Sequence, residues 1–151
     1  MPFQGFVHLN VHADFSIKDS LIKVPALIKS TSEMSMPAVA ITDLSNLHGS
    51  IKVYKGTIGS NVKPIIDAEL NLYNDEGKSG LLYVYCKNLI GYKNLLKLTS
   101  MSYKDGRDVE QESSIKPEWV TKNNFEGLIA ISGGRTSIVG QYLLADDLES
   151  A

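Results

Sequence analysis

Cysteine is nearly absent: Cys86 is the single one in 151 residues. An internal disulfide is therefore excluded, and this usage fits a reducing cytoplasm. No apolar run approaches the roughly 18 residues that span a bilayer. Residues Met1 to Gly5 lack the basic head and long apolar stretch of a secretory signal, so a cytoplasmic location is expected. An excess of either charge is also lacking, since 15 basic and 17 acidic residues leave a net charge of −2. A domain that grips phosphates by itself is usually basic, so the composition carries no nucleic-acid footprint. Basic residues are few around Tyr73, Tyr83, Tyr85 and Tyr92, which are expected to pack rather than stack on bases. Internal repeats and low-complexity tracts are missing as well. What remains is 43% hydrophobic and 21% charged, the composition of a globular domain able to bury a core.

The most informative stretch is Phe6-Val-His-Leu-Asn-Val-His12, with Asp19 just beyond it. Its alternation reads as a strand that puts Phe6, His8, Asn10 and His12 on one face and Val7, Leu9 and Val11 on the other. Three polar side chains on one face of so apolar a strand imply water or a polar cavity. A His-x-His pair would place two imidazoles about 7 Å apart on one side of a strand, an arrangement that metal-dependent hydrolases use. Asn10 interrupts that pattern, so the stretch reads as a metal site partly dismantled. His8 is expected to be a neutral rim histidine and His48 an exposed one.

Further along, Val24-Pro25 predicts a helix entry, with Leu27, Ile28, Thr31 and Met34 forming its stripe up to Pro37. Ala38 to Thr42 reads as a buried strand running into the polar turn Asp43 to Asn46. Asn46 to Ile58 predicts a short helix with Leu47, Ile51, Tyr54 and Ile58 on one side, broken by Gly56 and Gly59. Val62 to Tyr73 reads as a third strand, irregular near Pro64. Asn74 to Gly77 is a hairpin-type turn, and Leu81 to Cys86 a fourth strand antiparallel to the third. Cys86 is expected to be a buried small apolar group. A helix over Asn88 to Tyr103, a polar loop to Lys116, a short helix at Pro117 to Val120, a strand over Gly127 to Ser132 and a last helix from about Thr136 complete the reading. Strands alternating with helices predict an α/β domain with a mainly parallel sheet. In such folds the site lies beyond the strand carboxyl ends, where His12, Asp43, Glu69 and Gly133-Gly134 are expected to converge. Asp43 could equally cap the next helix. Gly133-Gly134-Arg135 before a helix invites a phosphate contact, with Arg135 as the cation, although a tight strand-to-helix turn explains it as well.

Taken as a set, several stretches resemble the PHP (polymerase and histidinol phosphatase) domain family, in the form found at the N-terminus of bacterial replicative DNA polymerase alpha subunits. They are Phe6 to Ser16, Met36 to Asp43, Asn46-Leu47 with Gly49, Lys63 to Glu69, Lys87-Asn88 with Gly91-Tyr92 and Asn94-Leu95, and Gly127 to Arg135. The resemblance implies a partial PHP-type distorted barrel of βα units in which residues 1–151 hold about five strands, with the polymerase domains absent. It also implies the metal-binding pattern of the family. His12, Asp19 and Glu69 match ligand positions. Asn10, Leu44, Leu81 and Gly134 stand where that pattern has His, His, His and Cys. A leucine donates nothing to a metal, and zinc needs three or four donors in fixed geometry. The expectation is a domain with a degenerate metal site and no cofactor of its own.

The resemblance therefore implies a non-catalytic role in DNA replication within a DNA-directed DNA polymerase, whose Mg2+-binding carboxylates lie outside this sequence. The proofreading exonuclease subunit and other replicase subunits would be its partners, and DNA would be met only through the larger polymerase. The competing expectation is a residual metal-dependent phosphoesterase, a 3′–5′ exonuclease or pyrophosphatase, built on His12, Asp19 and Glu69 with Arg135 at the phosphate. A free-standing histidinol-phosphatase-like enzyme is the third reading; Gly91-Tyr92 and Ser132 to Arg135 speak against it. An incomplete barrel would also expose a sheet edge, so marginal stability or a homodimer is expected.

Overall fold

The computed structural model describes residues 5–73, 77–106 and 112–151. The chain forms two compact units, Met1–Asp67 and Ala68–Ala151. Among the described residues they contain four α-helices and five strands.

In the first unit, helix α1 (Val24–Glu33) starts with Pro at its first turn and buries Val24, Ile28 and Thr31. Proline is pre-set for this position because its fixed φ suits the helix and its missing N–H would have no partner there. The Thr31 hydroxyl donates back to the Leu27 carbonyl at 2.8 Å, so a polar side chain sits on the buried face without an orphaned group. Strand β1 (Ala38–Ile41) is buried throughout, and it pairs in parallel with the start of β2 (Lys63–Tyr73) from Ala38↔Lys63 to Ile41↔Ile66. Pro64 falls at the second residue of β2, at the strand's start, and lies in register opposite Val39. Helix α2 (Ser50–Thr57) packs against α1. A Cβ on Gly56 would lie 2.6 Å from Ile28 Cδ1, so the glycine lets the two helices approach closely. Ala13, Val24, Ile28, Ile41 and Val53 form the core, with Phe15 and Leu27 packed on it.

Two expectations change here. Residues 6–12 do not form a regular strand. They run beside β1 with a single parallel bridge, His8↔Val39, continued by backbone bonds from Ala40 N to His8 O (3.0 Å) and Thr42 N to Val11 O (2.9 Å). Helix α2 begins at Ser50 and turns Val53 and Thr57 inward, leaving Ile51, Tyr54 and Ile58 exposed. Its apolar side chains therefore occupy two faces, and periodicity alone does not say which one is buried.

In the second unit the later half of β2 pairs in parallel with β4 (Ser114–Ile115), and β3 (Ser79–Cys86) is its other neighbour. Strand β4 is fully buried although it lies in a stretch read as polar loop. Strand β5 (Leu128–Ser132) pairs antiparallel with β3, from Leu82↔Ser132 to Cys86↔Leu128, and is largely exposed. The pairing is thus mixed rather than mainly parallel. Helix α3 (Leu89–Asp105) is capped by the Asn88 side chain, which accepts from Gly91 N at 3.0 Å. Its buried side carries Leu95 and Leu98; Leu70, Val84, Tyr85, Ile115 and Tyr142 are further large buried groups of this unit. Helix α4 (Ile138–Leu144) closes the element order after a 3-10 turn at Gly134–Thr136. A Cβ on Gly80 would strike the Ile138 backbone nitrogen, so α4 seats directly on β3. Tyr85 is buried, Tyr73, Tyr83 and Tyr92 are half-buried, and Cys86 is half-buried rather than enclosed. Most of the expected turn at Asn74 to Gly77 lies outside the described residues.

Candidate functional site

The polar centre of the first unit is Asp43, two residues beyond β1 and almost fully buried. Its Oδ1 accepts from the Ala13 amide at 2.8 Å and from the Ser16 hydroxyl at 2.8 Å. The same hydroxyl accepts from the Leu44 amide at 3.0 Å. Asn46 continues the network by donating to the carbonyls of Phe15 (3.2 Å) and Leu44 (2.9 Å) and accepting from the His48 amide (3.0 Å). Asp43 thereby ties the loop after His12 to the end of β1. Its second oxygen, Oδ2, is buried with no hydrogen-bond partner. That oxygen faces Gly49, where a Cβ would sit only 2.9 Å away.

Asp67, inside β2, carries two more buried oxygens without hydrogen bonds. Burial pushes its carboxyl well above the usual carboxylate range. The Ile41 backbone amide favours the charged form without completing a hydrogen bond, and the charge of Asp43 disfavours it. Burial thus favours the neutral form of Asp67, and a buried carboxyl of this kind next to Asp43 is the least expected feature of this unit. Sequence reasoning passed over it. The one available signal was an acid inside the apolar run Ile65-Ile66-Asp67-Ala68.

The sequence-predicted residues fare differently. Asn10 is exposed, and its side-chain oxygen accepts from Thr42 Oγ1 at 2.8 Å, so the amide serves the β1 end. His12 is half-buried and Asp19 exposed; the Asp19 backbone amide donates to the Ser16 carbonyl at 2.8 Å. Leu44 is half-buried beside Asp43. Glu69 is buried in the interior of β2 rather than at its carboxyl end, and belongs to the second unit. Leu81 is half-buried within β3, and its carbonyl accepts from the Gly133 amide at 2.9 Å. Gly134 is exposed with φ +60°, a left-handed conformation that suits glycine. Arg135 is exposed on the same turn. The Ser137 hydroxyl caps α4 by accepting from Gly140 N at 2.9 Å, so this N-terminus already has an internal anion substitute. His8 is exposed and meets the Phe6 ring edge-on at 4.7 Å; His48 is exposed near Phe15.

Metal ligation demands several donors converging at fixed distances. Among the described residues no group of three or more His, Cys, Asp or Glu side chains could hold an ion. Leu44 and Leu81 supply hydrocarbon, and Gly134 supplies no side chain. The arrangement around Asp43 is a hydrogen-bonded clamp. No helix among the described residues is long and apolar enough to cross a membrane.

Comparison with known proteins agrees with this architecture. The family model described as PHP domain matches residues 8–151. The chain is 43% identical over 141 residues to DNA polymerase III subunit alpha of Vibrio cholerae, covering 92% of this chain and 12% of that one. It is 42% identical over 141 residues to the Escherichia coli K12 protein of the same name, again with 92% and 12% covered. The chain thus spans only 12% of the length of these relatives. Among solved structures, a Bifidobacterium adolescentis protein proposed to be a metal-dependent phosphoesterase superposes with a TM-score of 0.53 at 14% identity, over 69% of this chain and 35% of the other. A Chromobacterium violaceum amidohydrolase with bound sulfate and no metal gives 0.52 at 10% identity, over 65% and 33%. At such identities the likeness concerns the fold alone.

Proposed function

The chain belongs to the PHP domain family, and on that premise we propose that it is the PHP domain of a bacterial replicative DNA polymerase III alpha subunit, serving there as scaffold and docking module rather than catalyst. The single observation that carries the non-catalytic reading is the chemistry at Leu44, Leu81 and Gly134, which offer no donor where the family pattern has imidazole and thiolate. The framework survives around them: Asp43 is committed to Ala13 and Ser16, and Asn10 to Thr42. In the larger protein, DNA-directed polymerisation with Mg2+ belongs to domains outside this sequence. The proofreading exonuclease subunit is the first partner to test, followed by other replicase subunits, and the compartment is the cytoplasm.

A second reading is a residual phosphoesterase using His12, Asp19 and Glu69, with Arg135 at the phosphate. It is favoured by the survival of those side chains, although Glu69 and Arg135 belong to a different unit from His12 and Asp19. One assay separates the two. Pyrophosphate and single-stranded DNA are incubated with the protein, with and without Mn2+. The scaffold reading expects no metal-dependent hydrolysis and no effect of His12→Ala. Turnover that requires Mn2+ and disappears in His12→Ala establishes the phosphoesterase instead.

A further inference from the structure

A concave groove of about 590 Å³ opens between α1 and α2. Its apolar lining is Val24, Pro25, Ile28 and Gly56. Lys29, Lys52 and Lys55 stand around it, with Glu33 the acidic member of the lining. The whole chain carries a net charge of −2, so a lysine-rimmed apolar groove runs against the overall balance. Lys52 is held at the rim, its ammonium 4.6 Å from the centroid of the Phe15 ring. Lys29 and Glu33 form only a long, exposed pair at 3.8 Å, one turn apart on α1.

Helical geometry extends this surface. At 100° per residue, Ile51 and Tyr54 share one stripe of α2, Ile58 follows directly at its C-cap, and Lys55 lies between that stripe and the groove. These three apolar side chains are 62%, 61% and 69% exposed. An apolar helical stripe left in water beside an apolar groove marks an interaction surface rather than an ordinary solvated face.

We infer that the α1–α2 groove docks a short amphipathic segment of a partner protein, apolar on one side and flanked by Asp or Glu. Charge complementarity selects the acidic flank, because three lysines stand against one glutamate around the groove. Exposed Pro25 in the groove, with exposed Ile51 and Tyr54 beside it, selects the other face. A polynucleotide would satisfy the lysines but bring little to cover these apolar groups. The concave shape between two helices suits an inserted helix or strand. This inference deepens the docking half of the proposed function and rests on that half alone.

Fluorescence anisotropy of the full 151-residue chain tests it. The probe is a short fluorescein-labelled helical peptide with leucines on one face and glutamates on the other. A lysine-for-glutamate counterpart and labelled oligothymidine serve as comparisons. The glutamate peptide should bind, and more weakly as salt is raised through the range where surface charges are screened. The Lys52→Glu/Lys55→Glu double variant should lose roughly tenfold in affinity. Ser32→Trp, which fills the groove and leaves every lysine in place, should lose as much. Circular dichroism checks the fold of each variant. The inference is overturned if the glutamate peptide does not bind, or if its lysine counterpart binds as well. It is equally overturned if both variants bind as the parent does, or if oligothymidine binds through the same lysines. None of these outcomes alters the hydrolysis assay above, so the two readings fail separately.

Discussion

The Ser16 hydroxyl donates to Asp43 Oδ1 at 2.8 Å across 27 residues of sequence, and with the Ala13 amide it fastens the loop after His12 to the end of β1. Both donors are buried with their acceptor. Asp43→Ala would leave them unsatisfied, at about 1–3 kcal/mol for each buried polar group. Denaturant unfolding should show a loss of roughly 2–4 kcal/mol. Asp43→Asn keeps an acceptor at Oδ1 and should lose less than half as much. Equal losses in the two variants would mean that the charge, not the acceptor, holds the loop.

Asp67 predicts an unusual pH dependence. Its folded-state pKa is raised by burial, so between the unfolded value of about 3.9 and the folded value the native state binds more protons than the unfolded chain. Stability attributable to this group therefore falls as pH rises through that window, by up to about 1.4 kcal/mol per pH unit, and levels off above the folded pKa. Asp67→Asn removes the titration. Urea unfolding from acidic to mildly alkaline pH should show the parent losing stability relative to Asp67→Asn with each step upward. Parallel curves for the two proteins would contradict a buried neutral acid.

Gly91 explains part of the motif that first pointed to the family. A Cβ there would collide with the Gly127 carbonyl, while Gly127 itself has φ +73° and lies against Asn88 Oδ1. The start of α3 and the turn before β5 thus meet through two glycines. Gly91→Ala forces them apart and should cost about 1–3 kcal/mol, the range for overpacking. Asn88→Ala, which removes only the cap, should cost about 1 kcal/mol. Thermal melts of the two variants check the order, and an Asn88→Ala loss larger than that of Gly91→Ala would reverse the account.

Strand β5 pairs with β3 alone among the described residues, and its Ile129 and Ile131 are 49% and 44% exposed. An exposed apolar edge strand is a template for pairing with another chain. Sedimentation should show self-association that increases with concentration and that Ile131→Lys suppresses. A monomer at every concentration, in both proteins, would overturn the expectation of a homodimer.

Helix α1 and strands β1, β2 and β3 were legible in the sequence because local pattern and burial agree there: proline at the first turn of α1, unbroken apolar runs in β1. The face of α2 was not legible. Ile51, Tyr54 and Ile58 have the right period, but Val53 and Thr57 meet the core, and only packing against α1 decides between the faces. The direction of β5 was equally hidden, since an apolar run of five residues reads the same parallel or antiparallel. Strand β4 escaped notice because its two residues, Ser114 and Ile115, carry no period at all. At the candidate site the absence of imidazole and thiolate at Asn10, Leu44, Leu81 and Gly134 is a matter of sequence alone. The Asp43 clamp and the unpaired Asp67 were not, because hydrogen bonds over such separations leave no local trace in sequence.

The central claim is that the site lacks the donors to hold a catalytic cation. Elemental analysis of the purified chain, after exposure to Zn2+ and Mn2+ and extensive dialysis, tests it most directly. The account predicts metal far below one equivalent per chain for both ions. Retention of one or more equivalents of either ion, lost on substituting His12, Asp19 or Glu69, would contradict it.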